Sequence, residues 1–105
     1  MTKYHAIPTE VDGVRFASRM EARRYRELRL LEQAGAIEKL TLQRRHTIRV
    51  NGVLICAYVS DFEYRDVVTG RWIVEDVKGK ATPVYKLKAK LMRAVHGIEV
   101  QEVQA

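Results

Sequence analysis

The spacing of apolar residues predicts where helix and strand fall along the chain. From Ser18 to about Ala34, residues Ala22, Tyr25, Leu28 and Leu31 recur every three or four positions, the period of a helix with one buried stripe. Ser18-Arg19-Met20-Glu21 has capping-box spacing at its start, and Gly35 stands where a left-handed glycine closes a helix. Before it, Asp12-Gly13 accepts the positive φ of a tight hairpin turn between short strands holding Thr9, Val11, Val14 and Phe16. After it the period changes to two. Leu40, Leu42, Ile48 and Val50 share one parity, so residues 37–50 read as strand. Asn51-Gly52 turns the chain into a second apolar, β-rich strand over 53–64, and Thr69-Gly70 turns it again into a third over 71–78. Gly79 ends that strand. Thr82-Pro83 reads as N-cap and first-turn proline of a helix to His96, with Leu87, Leu91, Ala94 and Val95 on or near its inner stripe and Gly97 as its cap. Residues 98–103 alternate and predict a last strand beside the sheet. The order is hairpin, helix, three-strand meander, helix, strand, which predicts a mixed α/β sandwich around one sheet.

At 105 residues the chain is one domain with room for one modest core. No apolar run approaches the roughly 18 residues a membrane helix needs, and the first ten residues lack an apolar signal region, so a cytoplasmic protein without membrane contact is expected. The single cysteine, Cys56, excludes an internal disulfide framework, and within its apolar strand it reads as a small buried hydrophobe. Tyr25, Tyr58, Tyr64 and Trp72 read as core residues. His5, His46 and His96 have no common ligand spacing, which argues against zinc.

Charge changes the picture. The net charge is +6, and +5 of it lies in residues 1–50. The second half carries an acidic stretch (Asp61, Glu63, Asp66, Glu75, Asp76) followed by a basic one (Lys78, Lys80, Lys86, Lys88, Lys90, Arg93). Basic charge suits a polyanion and clustered carboxylates suit a hard cation, although scattered surface charge would look the same. Side chains two apart on a strand share a face, so Asp76 and Lys78 emerge together and Glu75 points away. Pairing about Thr69-Gly70 brings Asp61 near Asp76. Two carboxylates and a lysine at one end of a sheet are suited to cutting a phosphodiester. The acids hold a cation that neutralises the phosphate and lowers the pKa of a bound water, and the lysine orients that water or stabilises developing charge. Glu21 is at the third helical position, where it would cap its own helix. It also lies about 40° from Tyr25 and about 20° from Leu28 around the helix, on the buried stripe. A carboxylate there needs a partner, either an arginine or a cation shared with Asp61 and Asp76.

With Asp61 and Asp76-Val77-Lys78 in place, the chain resembles the PD-(D/E)xK nuclease superfamily. The wider pattern is similar to small phage-encoded members known as a domain of unknown function and likened to Holliday-junction resolvases. It rests on Lys3-Tyr4, Asp12-Gly13, Phe16, Ser18, Glu21-Ala22, Leu28, Ala34-Gly35, Gln43, Asp61-Phe62, Tyr64, Glu75 to Gly79, Thr82 and Leu87-Lys88. Ser60 stands where the superfamily has its namesake proline, and Ala17 where a polar residue precedes the serine. The resemblance implies an α/β (α+β) fold with a restriction-endonuclease-like core, a central mixed β-sheet flanked by helices. It further implies Mg²⁺ (with Mn²⁺ as substitute) held by Asp61, Asp76, the Val77 backbone carbonyl and Glu21, with Lys78 as catalytic lysine. The expected function is DNA endonuclease activity on branched or duplex DNA, from a phage or prophage. A homodimer would supply the two symmetric cuts of junction resolution. Lys86, Lys88, Lys90 and Arg93, together with Arg44, Arg45 and Gln43, are the candidate DNA contacts; a solvated helix face and edge-strand arginines are the alternative readings. The rival functions are a nucleic-acid-binding module without catalysis and an accessory subunit of a phage recombination complex.

Overall fold

A computed structural model describes residues 7–104, so Lys3, Tyr4 and His5 lie outside the described residues. Strands β1 (Thr9–Val11) and β2 (Val14–Phe16) form the first hairpin, with Asp12 and Gly13 both at positive φ as the turn requires. Helix α1 (Arg19–Gln33) starts at Ser18, whose Oγ accepts the Glu21 N–H at 3.2 Å. It buries Ala22, Tyr25 and Leu28 as its spacing predicts, whereas Leu31, expected on the same stripe, is exposed near the end of the helix.

The two long strands expected from parity are each broken in the middle. Residues 37–50 become β3 (Ile37–Leu42) and β4 (Arg45–Val50), while residues 53–64 become β5 (Val53–Val59) and the start of β6 (Phe62–Asp66). The breaks lie side by side. Gln43 takes a positive φ of 50° and its N–H donates to the Asp61 carbonyl at 3.2 Å, while the Ser60 N–H donates to the Arg44 carbonyl at 3.0 Å. A paired ribbon thus bends as a unit, with β3 and β6 in one sheet and β4 and β5 in another, the way strands switch layers at a corner. Ser60 is fully buried inside the bend, where a small hydroxyl residue fits and donates to Glu63 at 2.7 Å.

The central sheet has the order β3-β6-β7-β8, with β7 (Trp72–Lys78) antiparallel to β6 and β8 (Val100–Gln104) parallel to β7. Helix α2 (Pro83–His96) makes the crossover that the parallel pair needs. Thr82 caps it through the Tyr85 N–H, and Gly97 closes it in the left-handed conformation, both as expected. Its buried stripe differs from the expected one. Tyr85 and Met92 are buried, whereas Leu87 is 58% exposed and Val95 is also exposed. The helix carries two adjacent apolar stripes, and its seat on the sheet selects the one through Tyr85, Ala89 and Met92. Cores lie on both faces of the sheet. Phe16, Tyr25, Leu28, Phe62 and Tyr64 pack under α1; Ile48, Tyr58, Val74, Tyr85 and Met92 pack under α2. The outcome is an α+β domain built on a mixed four-stranded sheet with two helices. Trp72, expected in the core, is 40% exposed, and Cys56 is only partly buried. Among the described residues no helix is long and apolar enough to cross a membrane.

Candidate active site

The last residues of β7 carry the candidate chemistry. Strand alternation puts Val74, Asp76 and Lys78 on the α2 face and Glu75 on the α1 face. Asp76 is 5% exposed. Its Oδ1 lies 2.7 Å from Lys78 Nζ and its Oδ2 accepts the Tyr58 hydroxyl at 2.6 Å. The Lys78 ammonium also stands over the Tyr85 ring, 3.9 Å from its centroid. Glu75 is turned away, as the period of two predicts. It binds Arg24 with both oxygens (2.9 and 2.7 Å) and accepts the Tyr64 hydroxyl, which ties α1 to the middle of the sheet. That bidentate pair raises the Arg24 pKa.

Asp61 sits in the bend before β6 rather than within a strand. Its N–H donates to the Glu75 carbonyl at 3.1 Å, and its Oδ2 accepts the Val77 N–H at 2.7 Å. It therefore clasps β7 on either side of Asp76. Burial, then the charge of Asp76, push the Asp61 carboxyl up to about 7, against the Val77 N–H; Glu21 adds to the rise and Lys78 opposes it. Glu21 is half-buried on the first turn of α1. Burial raises its pKa, a backbone hydrogen bond from Ala17 opposes this, and the charges of Asp76 and Lys78 act on it in opposite senses. Glu21, Asp61, Asp76 and Lys78 thus share one electrostatic neighbourhood.

The expected cluster of three converging acids takes a looser form. Among the described residues no three His, Cys, Asp or Glu side chains stand close enough to hold a metal ion by themselves. Each acid is already engaged: Asp76 by Lys78 and Tyr58, Asp61 by Val77, and Glu21 by its own helix start. The donor chemistry nonetheless suits a hard divalent cation. The buried Asp76 and the partly buried Asp61 are carboxylates close enough for the charge of Asp76 to raise the Asp61 pKa. Mg²⁺ is commonly held by only one or two carboxylates while keeping its waters.

The candidate DNA contacts separate into groups. Lys88 joins Tyr58, Asp76, Lys78, Thr82 and Tyr85 around a cavity of about 310 Å³. Lys86, Lys90 and Arg93 face a different cleft, against Glu99 just before β8 and Glu102 within it. Arg44 leans on Trp72 and stands 3.6 Å from Glu63; Arg45 and Gln43 are exposed, the latter at the corner that holds Asp61. Sequence spacing did not point to Tyr58 or Tyr85 as site residues, because each reaches the site across the fold. A family described as "Protein of unknown function (DUF1064)" matches residues 1–103. The chain belongs to that family. No curated protein and no solved structure matches it. The match runs from the first hairpin of this DUF1064 domain into β8, including both helices and the Asp61 corner.

The raised Asp61 carboxyl gives a prediction for the DUF1064 domain. Between its ordinary value of 3.8 and about 7 the folded state holds more proton than the unfolded one. This group's contribution to stability therefore falls as pH rises through that window and is level above it. In Asp61→Asn the amide oxygen still accepts the Val77 N–H but does not titrate. Urea midpoints measured from pH 4 to 8 should fall less steeply with pH in the variant than in the parent protein. Parallel curves would mean that Asp61 does not titrate in this window.

Proposed function

We propose that this domain is a metal-dependent DNA endonuclease of the PD-(D/E)xK type, with a restriction-endonuclease-like core, acting on branched or duplex DNA. One observation carries the reading: Asp76 and Lys78 emerge paired from the end of β7 while Asp61 clasps the intervening Val77. Asp61, Asp76 and the Val77 carbonyl would hold Mg²⁺ (or Mn²⁺), with Glu21 completing the acidic surroundings. When bound, the cation supplies charge neutralisation at the scissile phosphate and a more acidic water. Lys78 orients the attacking water or stabilises charge on the phosphoryl oxygens. Lys88, across the cavity, provides a cation for the DNA backbone, and Lys86 and Lys90 add cations along α2, next to the cleft where Arg93 pairs with Glu99. Two symmetric cuts in a junction would call for a homodimer. A DNA substrate would suit a cytoplasmic protein, and the resemblance to small phage-encoded nucleases adds a phage or prophage source to the proposal.

A second reading has an observation of its own. Both Asp76 oxygens are occupied by Lys78 and Tyr58, the arrangement expected of an ion pair that only braces a nucleic-acid-binding module or an accessory subunit of a recombination complex. Incubation with a four-way junction and with linear duplex, with and without Mg²⁺, separates the two. Nuclease action predicts cutting with Mg²⁺ alone. Salt-sensitive binding with no cutting in Mg²⁺ or Mn²⁺ would favour the binding module.

A further inference from the structure

We propose that Tyr85 is a positioning residue for Lys78, its ring face forming a fixed seat for the ammonium group beside Asp76. The inference rests on the reading of Lys78 as the lysine of a phosphodiester-cleaving site. A lysine head is a compact charge on a four-carbon stem with many rotamers, so one ion pair leaves it free to swing. Here it has a second support. Nζ lies 2.7 Å from Asp76 Oδ1 and 3.9 Å from the Tyr85 ring centroid, well inside the roughly 6 Å reach of a cation–π contact. The charge is largely withdrawn from water, since the Lys78 side chain is only 19% exposed. Desolvation strengthens such a contact.

The seat is rigid for reasons visible in the chain. Tyr85 is 7% exposed and belongs to the core formed with Ile48, Tyr58, Val74 and Met92. Its N–H donates to Thr82 Oγ1 at 3.1 Å, so the helix cap fixes its backbone, and Pro83 stands at the first turn. Tyr58 does the complementary task, holding Asp76 Oδ2 at 2.6 Å. Two tyrosines from β5 and α2 therefore pin the two members of the Asp76–Lys78 pair separately. A ligand that competes for the Asp76 carboxylate would remove the ion pair and leave the ring seat in place. Lys78 would then stay at the cavity that Lys88 also lines.

The test begins with the unaltered protein. Nuclear Overhauser contacts between the Lys78 ε-methylene and the Tyr85 ring protons are expected, with the methylene resonance shifted upfield by the ring current. Tyr85→Phe should keep both. Tyr85→Met, which retains helix propensity and bulk, should return the resonance towards its free position. If the domain cuts DNA, Tyr85→Met should lower kcat about 5- to 10-fold with KM little changed, and Tyr85→Phe should restore the rate. Absence of the Overhauser contact in the parent protein would overturn the seat, and that result needs no variant to fold. Equal damage from Phe and Met would overturn it too, since the hydroxyl would then be the important group. The Overhauser contact and ring-current shift with no cleavage in any condition would uphold the seat and refute the nuclease reading.

Discussion

Asp76→Asn is expected to lower Mg²⁺-dependent strand cleavage by at least about 10²–10³-fold while binding DNA as well as or better than the parent domain. The two effects have opposite signs for one reason. At the proposed site Asp76 is an anion that would face a polyanion, so its removal would weaken electrostatic repulsion of DNA, and any loss of cutting would come from chemistry. The asparagine carbonyl still accepts the Tyr58 hydroxyl, which at 2.6 Å is the shorter of the two Asp76 contacts, so the local packing survives. Lys78 loses its ion pair yet keeps the Tyr85 ring. The neighbouring Asp61 loses the charge that ranks second among the causes of its raised pKa, and ionises more readily. Lys78→Ala should reduce cutting comparably but weaken DNA binding slightly. Gel-shift affinity and single-turnover cleavage on one junction substrate measure both quantities. Unchanged cleavage in both variants would remove these residues from the active site.

What the chain showed in advance divides by range. Features encoded within a few residues read directly from sequence: the Asp12-Gly13 turn, the Ser18 and Thr82 caps, the Gly97 stop, and the shared face of Asp76 and Lys78. Features decided by distant partners did not. Leu40, Leu42, Ile48 and Val50 share one parity, interrupted only by the charged or polar Arg44 and His46, but the corner at Gln43 and Ser60 is made by hydrogen bonds across two strands, and spacing alone does not announce the left-handed backbone of Gln43. The same holds for α2. Leu87 and Tyr85 are equally suited to burial, and the position of the helix over Val74 and Tyr58 settles which goes inside. For the site, spacing brought Asp61 towards Asp76, yet it could not show that Asp61 would bond to the backbone at Val77. It also could not show Tyr58 meeting Asp76 from 18 residues away. Helix geometry puts Glu21 on the buried stripe of α1, and in the fold it is half-buried there. Its position relative to the sheet depends on Arg24 gripping Glu75 one turn further along.

Glu63→Ala is expected to have the largest effect on stability, about 3–5 kcal/mol, and to disrupt the site without touching it. Glu63 is 0% exposed and lies on the α2 face of β6, opposite Phe62 and Tyr64. Its Oε1 accepts the Trp72 indole N–H at 2.8 Å and stands 3.6 Å from Arg44. Its Oε2 accepts the Ser60 hydroxyl at 2.7 Å and is 2.5 Å from His46 Nε2. One carboxylate thus joins β4, the Ser60 bend, β6 and β7. Alanine leaves the buried Ser60 hydroxyl and the largely buried His46 ring facing a void, and each buried polar group without a partner costs about 1–3 kcal/mol, whereas the indole N–H of the 40% exposed Trp72 can turn to water. Arg44 matters less, because its exposed guanidinium can return to water. Total stabilities of small domains are about 5–15 kcal/mol, so the loss is a large share of the whole. Glu63→Gln should cost markedly less, since its oxygen and amide can still serve Trp72 and Ser60. The bend that Glu63 braces also carries Asp61, whose contacts with Glu75 and Val77 assemble the end of β7. Loss of the Asp61-dependent pH slope in folded Glu63→Ala would therefore accompany the loss of stability. Urea unfolding of both variants gives the measurement. A Glu63→Ala midpoint within about 1 kcal/mol of the parent would show that the bend is held by its backbone bonds alone.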